Sequence, residues 1–192
     1  DYFAYVDGKP RYDGVRDFFA SRGITLPEGD PSDGPAAQTI CGLGNRKNDL
    51  FNTVLARDGI RPYPGSRRWV DRLHESGMAM AVVSSSRNAA AVLKAAGMVE
   101  DFSVLVDGNR SKAERLPGKP APDTYLRGAE LLGVPAEQCV VVEDAVSGVR
   151  AGAAGGFGMV LGVNRGVGAD RLREAGADRV VDDLDEMVEE MA

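Results

Sequence analysis

The strongest constraint on the fold of this chain is a regular alternation of short apolar runs and helical segments that begins near residue 64. The runs are continuously apolar, which is typical of strands that are buried on both faces. Strands that alternate with helices predict a parallel sheet with helices on both faces. Five such runs are present, at residues 78–84, 102–106, 139–142, 159–163 and 179–181. The sequence therefore predicts an α/β fold with a doubly wound parallel-sheet core over residues 63–192.

The N-terminal third of the chain lacks such runs and predicts helices without strands. Apolar residues at helical spacing indicate a short amphipathic helix over residues 13–22. Residues 27–35 are dense in Pro, Gly and Asp, which indicates a surface loop. Asn45 is a suitable N-cap for a second helix that ends at Gly59. We therefore interpret residues 1–62 as a small α-helical domain.

The charge balance and the two cysteines exclude several classes of function. The chain has 29 acidic and 23 basic side chains and a net charge of −6. Nucleic-acid binding requires clustered Lys and Arg, so no nucleic-acid partner is expected. Cys41 and Cys139 have no CxxC spacing, so neither a disulfide framework nor a zinc site is predicted. No apolar run approaches the roughly 18 to 20 residues of a membrane span, and no signal pattern is present. The sequence predicts a cytoplasmic protein without a membrane partner, and it leaves the oligomeric state open.

Polar residues follow the first apolar run, at the sheet edge where ligands bind in open α/β folds. The segment Ser84-Ser85-Ser86-Arg87-Asn88 combines hydroxyls, backbone amides and a cation at the start of a helix. Such a combination can hold a phosphate group. The alternative is a Ser-rich segment that only caps the helix.

Charged residues mark two further strand ends. Lys119 lies between Gly118 and Pro120, in a stiff backbone that suits a positioned charge, although a proline-rich loop with an incidental lysine is the alternative. Glu143 and Asp144 follow the third run. Adjacent carboxylates repel each other unless a cation neutralises them, and their oxygens suit Mg²⁺. The alternative is that Asp144 only caps the next helix.

The order of these motifs is a Ser, then a Lys, then an acidic pair, each at a strand end. This order resembles the haloacid dehalogenase (HAD) superfamily of phosphotransferases, and the resemblance covers essentially the whole chain. It is closest to the β-phosphoglucomutase group, in which a small α-helical cap domain is inserted after the first strand. The segments that carry the resemblance are residues 84–88, 118–123, 142–148, 7–14 and 44–49. The resemblance implies a HAD-like core over residues 63–192 and a partial cap over residues 1–62.

The resemblance also implies a role for each matching residue. Ser84 and Lys119 would be the catalytic residues that bind the transferred phosphoryl group. Glu143 and Asp144 would hold Mg²⁺ as the cofactor. The substrate-binding residues would be Arg11, Lys47, Ser85, Ser86, Arg87 and Asn88. Lys47 would contact sugar hydroxyls, while the others would bind the second phosphate of a sugar bisphosphate. For the two cap residues, Arg11 and Lys47, an ordinary solvated helix charge is the alternative.

One motif of the family has no counterpart in the expected place. In the family, Asp-x-Asp-Gly at the end of the first core strand supplies the nucleophile and the general acid and base. Val106-Asp107-Gly108 and Asp183-Leu184-Asp185 are superficially similar, but both follow later strands, and we reject them as substitutes. The resemblance implies that the first strand lies in the middle of the sheet, and its omission would leave neighbouring strands with unpaired backbone groups. We therefore expect the natural polypeptide to extend N-terminally by this central strand, the motif and a first cap helix. Without the nucleophile, the 192 residues by themselves are expected to be inactive.

The resemblance implies an enzyme whose partner is a small sugar phosphate. For the complete protein, the main interpretation is a Mg²⁺-dependent β-phosphoglucomutase. Such an enzyme converts β-glucose 1-phosphate to glucose 6-phosphate through an aspartyl-phosphate and a bisphosphate intermediate. A HAD sugar-phosphate phosphatase is the alternative within the same superfamily. From a different class, the chain would be a non-catalytic sugar-phosphate-binding or interaction module of a larger carbohydrate enzyme.

Overall fold

The computed structural model describes residues 1–190 and divides the chain into two compact units. The first unit is Asp1–Ile60, and the second begins at Arg61. The boundary lies close to residue 62, where the sequence predicts the end of the cap. Among the helices of residues 1–190, none combines the length and the apolarity that a bilayer crossing requires.

The first unit consists of helices and loops. Its helices are α1 (Tyr2–Tyr5), α2 (Arg11–Ala20) and α3 (Ile40–Asp58). The predicted N-cap at Asn45 is wrong, because α3 begins earlier, after Thr39. The Thr39 backbone is extended, and its Oγ1 accepts a hydrogen bond from Gly42 N at 2.9 Å. Asn45 therefore lies inside α3.

The second unit alternates strands and helices, as the sequence predicts. Its strands are β1 (Ala81–Val83), β2 (Val104–Val106), β3 (Val140–Glu143), β4 (Met159–Val163) and β5 (Arg179–Val181). Its α-helices are α4 (Pro64–Glu75), α5 (Ala89–Ala95), α6 (Gly108–Ala113), α7 (Asp123–Leu132), α8 (Val146–Ala154), α9 (Ala169–Glu174) and α10 (Asp185–Glu190). Short 3₁₀ helices, Val99–Asp101 and Ala136–Gln138, precede β2 and β3.

All strand pairs in the described residues are parallel, and the strands form two sheets instead of the single predicted one. β1 pairs with β2, and β4 lies between β3 and β5. Within residues 1–190, β1 and β3 are each paired with a strand on one side only. The further central strand stays a prediction. Lys119 forms hydrogen bonds with Val83 and Glu143, the last residues of β1 and β3, so the carboxyl ends of these strands lie close together.

Strand β4 shows why the apolar runs are continuous. Val160 belongs to one hydrophobic cluster, together with Tyr125 of α7 and Val149 of α8. Leu161 belongs to a second cluster, together with Val181 of β5. Successive side chains of a strand point to opposite faces, so both faces of β4 are covered. Burial of each such side chain contributes roughly 1.5–3 kcal/mol, which fixes the sheet whose carboxyl end carries the acidic pair.

Candidate active site

Lys119 is a buried cation at the carboxyl ends of β1 and β3. Its side chain is 5% exposed. Its Nζ donates hydrogen bonds to Glu143 Oε1 at 2.5 Å and to Val83 O at 3.4 Å. Burying an ammonium group is costly unless the group is paired and hydrogen-bonded, and both conditions are met. The structure therefore shows a fixed lysine and not a solvated one.

Glu143 uses both of its carboxylate oxygens. In addition to Lys119, Oε1 accepts a hydrogen bond from Tyr125 OH at 3.0 Å. Oε2 accepts hydrogen bonds from the backbone N of Asp144 at 2.7 Å and of Ala145 at 2.9 Å. Burial raises the pKa of Glu143, but the charge of Lys119 and the hydrogen bonds outweigh burial, so the net pKa is lower than usual. Glu143 is therefore the ionised partner of Lys119.

The buried pair also restricts the residue at position 148, in the first turn of α8. A Cβ at Gly148 would lie 1.9 Å from Glu143 Oε1 and 2.2 Å from Glu143 Cδ. Such distances are far below van der Waals contact, so any side chain at this position would displace the carboxylate. Gly148 is thus part of the packing that holds Glu143.

Asp144 has a different environment from Glu143. Its side chain is exposed. The N-cap residue of α8 is Ala145, which directly follows Asp144. Within residues 1–190, no group of three or more His, Cys, Asp or Glu side chains could hold a metal ion. Mg²⁺ commonly binds through one or two carboxylates and takes its other ligands from water and phosphate. An exposed carboxylate such as that of Asp144 suits this kind of site.

Tyr125 contacts both charged residues, and the sequence analysis did not identify it. Its OH group donates to Glu143, and Lys119 Nζ lies 4.5 Å from the centroid of its ring. Burial, followed by the charge of Glu143, raises the pKa of Tyr125, so the phenol stays protonated and remains a donor. The available signal was an aromatic residue in the first turn of α7, two positions after Asp123. This residue faces both members of the charged pair.

The loop of residues 84–88 follows β1 and starts from the same point as the lysine contact. Ser84 N donates to Val106 O at 2.9 Å, which continues the pairing of β1 with β2 by one residue. Ser84 Oγ accepts from Ser86 N, and Ser86 Oγ accepts from Asn88 N, both at 3.1 Å. The two hydroxyls therefore stabilise turns within the loop. Asn88 is the N-cap of α5 but makes no side-chain hydrogen bond there.

Two of the predicted substrate-binding residues lie in the first unit. Arg11, the first residue of α2, donates to Asn48 Oδ1 at 2.6 Å and to Asn45 Oδ1 at 3.4 Å. Tyr12 OH also donates to Asn45 Oδ1, at 3.0 Å. Lys47 is exposed on α3. Arg11 is thus oriented by α3, whereas the structure shows Lys47 as an exposed helix charge. The other predicted residues lie in the second unit, where Lys119 contacts Glu143 and the carbonyl of Val83, the residue before Ser84.

These features define the class of protein. Residues 7–156 match the model of the haloacid dehalogenase-like hydrolases, and the chain belongs to this family. The predicted superfamily and the predicted α/β fold are confirmed, as is the prediction of an enzyme of the phosphotransferase or hydrolase type.

Two proteins and one solved structure show which members of the family this chain is similar to. The chain is 49% identical over 191 residues to a β-phosphoglucomutase of Mycobacterium tuberculosis (strain CDC 1551 / Oshkosh), covering 98% of this chain and 73% of that protein. It is 38% identical over 184 residues to an uncharacterized glycosyl hydrolase of Mycobacterium tuberculosis (strain ATCC 25618 / H37Rv), covering 96% of this chain but 14% of that protein. The crystal structure of a β-phosphoglucomutase from Clostridium difficile superposes with a TM-score of 0.77 at 21% identity, covering 96% of this chain and 78% of that one.

Proposed function

We propose that the protein catalyses Mg²⁺-dependent phosphoryl transfer on sugar phosphates, and that its activity is that of a β-phosphoglucomutase. The proposal is supported by the 49% identity to a protein of that name over 98% of the chain. The structural observation that carries it is the buried Lys119, fixed by Glu143 at the carboxyl end of the strands. Family members generally use Mg²⁺, which agrees with the predicted cofactor.

Lys119 and Ser84 are proposed to bind the phosphoryl group that is transferred. Phosphoryl transfer depends mainly on positioning and on stabilising the charge of the equatorial oxygens. A lysine that is fixed before substrate binds meets this need without reorganisation. Glu143 then acts through Lys119, because it holds the ammonium group in place.

Asp144 is proposed as the protein ligand of the metal. Glu143, which the sequence predicts as a second ligand, uses both carboxylate oxygens in hydrogen bonds with the protein and is proposed to act through Lys119 instead. A bound Mg²⁺ would neutralise part of the negative charge of the phosphate. The polar side chains of Ser85, Ser86, Arg87 and Asn88 are proposed to bind the second phosphate. Arg11 and Lys47 stay predicted substrate contacts.

We assign the nucleophile to no residue of the 192. Asp107 Oδ1 accepts hydrogen bonds from the backbone N of Asn109 and Arg110, which makes it the cap of α6. Asp183 is paired with Arg165 at 2.8 Å. Both aspartates therefore have structural partners, which supports their rejection as nucleophiles. The covalent step requires a carboxylate from the predicted Asp-x-Asp-Gly motif, and the 192 residues alone are proposed to be inactive.

The test is an assay of the protein produced from its complete gene, with β-glucose 1-phosphate, Mg²⁺ and a trace of the bisphosphate. Formation of glucose 6-phosphate is expected. Release of inorganic phosphate as the main product would instead support the sugar-phosphate phosphatase. Lys119→Met should abolish turnover, while Lys112→Met, a matched change at an exposed residue of α6, should leave it unchanged.

The third interpretation, a non-catalytic module of a larger carbohydrate enzyme, has one specific observation in its favour. The uncharacterized glycosyl hydrolase aligns with 96% of this chain over only 14% of its own length. A similar domain therefore exists within a much longer protein. Binding of β-glucose 1-phosphate without any turnover by the product of the complete gene would favour this interpretation over catalysis.

A further inference from the structure

The turn from β2 into α6, defined as residues 107–109 with Gly108 and Asn109 already in the first turn of the helix, contacts the main chain of the 84–88 loop at two places. Gly108 N donates a hydrogen bond to Ser86 O at 3.1 Å. Asn109 Nδ2 donates to Arg87 O at 3.0 Å. Two successive peptide groups of the loop are thus oriented by this turn. Neither contact is a helix or strand hydrogen bond, so the turn adds a restraint that secondary structure does not provide.

The approach between the turn and the loop is too close for any side chain at position 108. A Cβ at Gly108 would lie 2.6 Å from Ser85 O and 3.1 Å from Arg87 N. Gly108 is not among the glycines with positive φ. The absence of a side chain is therefore required by the neighbouring backbone and not by the conformation of the turn.

Asp107 orients the amide of Asn109 in this turn. Asp107 is buried, and its Oδ2 accepts a hydrogen bond from Asn109 Nδ2 at 2.9 Å. Its Oδ1 accepts from the backbone N of Asn109 at 3.0 Å and of Arg110 at 2.9 Å. The exposed Asn109 side chain is thus fixed by Asp107 on one side and by the carbonyl of Arg87 on the other.

We infer that Gly108 and Asn109, held by Asp107, are positioning residues that set the main chain of the 84–88 loop for binding the second phosphate. This inference rests on the proposed function, because that function assigns the loop to a phosphate. Residues 84–88 lie between the strand β1 and the helix α5 and belong to neither, so no regular secondary structure holds this loop. A loop that is ordered before binding loses less conformational freedom when the ligand binds, and the affinity is higher for that reason.

The test uses two substitutions and two matched controls in the full chain. Asn109→Asp removes the amide donor, and Gly108→Ala inserts the Cβ that clashes with the loop. Asn52→Asp makes the same charge change at an exposed position of α3. Gly34→Ala adds a Cβ where no heavy atom lies within 4 Å and where φ is not positive. The affinity for β-glucose 1-phosphate in Mg²⁺ is measured by titration calorimetry, and amide hydrogen exchange of residues 85–88 is measured without ligand.

The expected result is a roughly fivefold loss of affinity for Asn109→Asp, the size of one lost hydrogen bond, and a larger loss for Gly108→Ala. Both variants should also exchange the loop amides faster, while the controls stay within about twofold of the unaltered protein. When Arg87 is already replaced by Ala, Gly108→Ala should cause little further loss of affinity. The reason is that the effects of two substitutions on binding do not add when both act through the same loop. A purely structural defect would reduce affinity equally in both backgrounds.

Two results would overturn the inference. If the unaltered protein binds the sugar phosphate and both variants bind it equally well, the turn does not position the loop. If the unaltered protein does not bind while loop exchange still rises in the variants, the contact exists but the proposed function fails, and with it the assignment of the loop to a phosphate. The two failures are therefore distinguishable.

Discussion

The buried Lys119–Glu143 pair and the 84–88 loop belong to the same end of the second unit but are stabilised in different ways. The pair consists of side chains that are 5% and 9% exposed and that bind each other. The loop is more accessible, and its restraints are made by main-chain groups and by its own hydroxyls. Substitutions in the pair should therefore change stability and binding together, whereas substitutions in the loop should separate the two. The predictions below test that difference, from the largest expected effect on stability to the smallest.

The largest effect is expected for Lys119→Met, which leaves the ionised Glu143 buried without its cation. The loss of one member of a buried ion pair typically costs about 3–5 kcal/mol of unfolding free energy. The unfolding free energy is measured by urea denaturation, and Lys112→Met, at an exposed position, is the control. A loss of less than about 1 kcal/mol, the usual range for exposed pairs, would mean that the pair is solvated in solution.

A smaller loss is expected for Gly148→Ala, because the new Cβ would overlap Glu143 Oε1. Overpacking of a well-filled site typically costs about 1–3 kcal/mol. Gly34→Ala, which meets open space, is the matched control in the same denaturation experiment. Equal stability of Gly148→Ala and the unaltered protein would contradict the close packing around the carboxylate.

Tyr125→Phe removes one donor to Glu143 and keeps the aromatic ring in the core. The expected loss is about 1.5 kcal/mol at neutral pH, the lower end of the usual range for a hydrogen bond to a charged group. Tyr5→Phe, in the first unit, is the control. An unchanged unfolding free energy would show that the phenol contributes only its ring.

The pH dependence of Tyr125→Phe gives a sharper test, because the lowered pKa of Glu143 makes part of the stability depend on ionisation. That part is present above the usual glutamate pKa of ~4.3 and is lost as the pH falls through the lower pKa of the folded state. Removal of a donor to the ionised carboxylate raises the folded-state pKa. The stability difference between the variant and the unaltered protein should therefore shrink on acidification. A difference that stays constant until the protein unfolds in acid would contradict this.

The smallest effect on stability is expected for Ser86→Ala in the loop. Ser86 is exposed, and its hydroxyl accepts one hydrogen bond within the loop, from Asn88 N. Surface substitutions of this kind usually change unfolding free energy by less than about 0.5 kcal/mol. The affinity for β-glucose 1-phosphate should nevertheless fall about fivefold, the size of one lost hydrogen bond. Ser103→Ala, an exposed serine before β2, is the control. Loss of stability without loss of affinity would remove the distinction between loop and pair.

The sequence predicts the core best where packing alone decides the structure. The predicted bounds of β4, residues 159–163, agree with the structure because this strand is covered on both faces. The first strand is shorter than the predicted run of residues 78–84, because β1 pairs with only three residues of β2. The sequence by itself does not mark α6 and α9 as helices, since six residues are too few to show a helical period.

The candidate site is less predictable, because its contacts join residues that are distant in the sequence. Glu143 ends β3, as the sequence predicts, but the predicted place of Lys119 at a strand end is wrong, because Lys119 follows the helix α6. The bond between them spans 24 positions, and nothing local in the sequence indicates it. Tyr125 was missed for the same reason, because its contact with Glu143 spans 18 positions. The motifs therefore locate the charged groups, while the fold determines which of them neutralise each other.

Tyr125 has a consequence for protein engineering. Its ring belongs to the first hydrophobic cluster and packs edge-on against Phe157 with 6.0 Å between the ring centroids, while its hydroxyl contacts the charged pair. Because one side chain serves both the core and the pair, a redesign that repacks this cluster would also move the lysine. A library intended to alter substrate preference should therefore vary the 84–88 loop and leave the layer around Tyr125 intact.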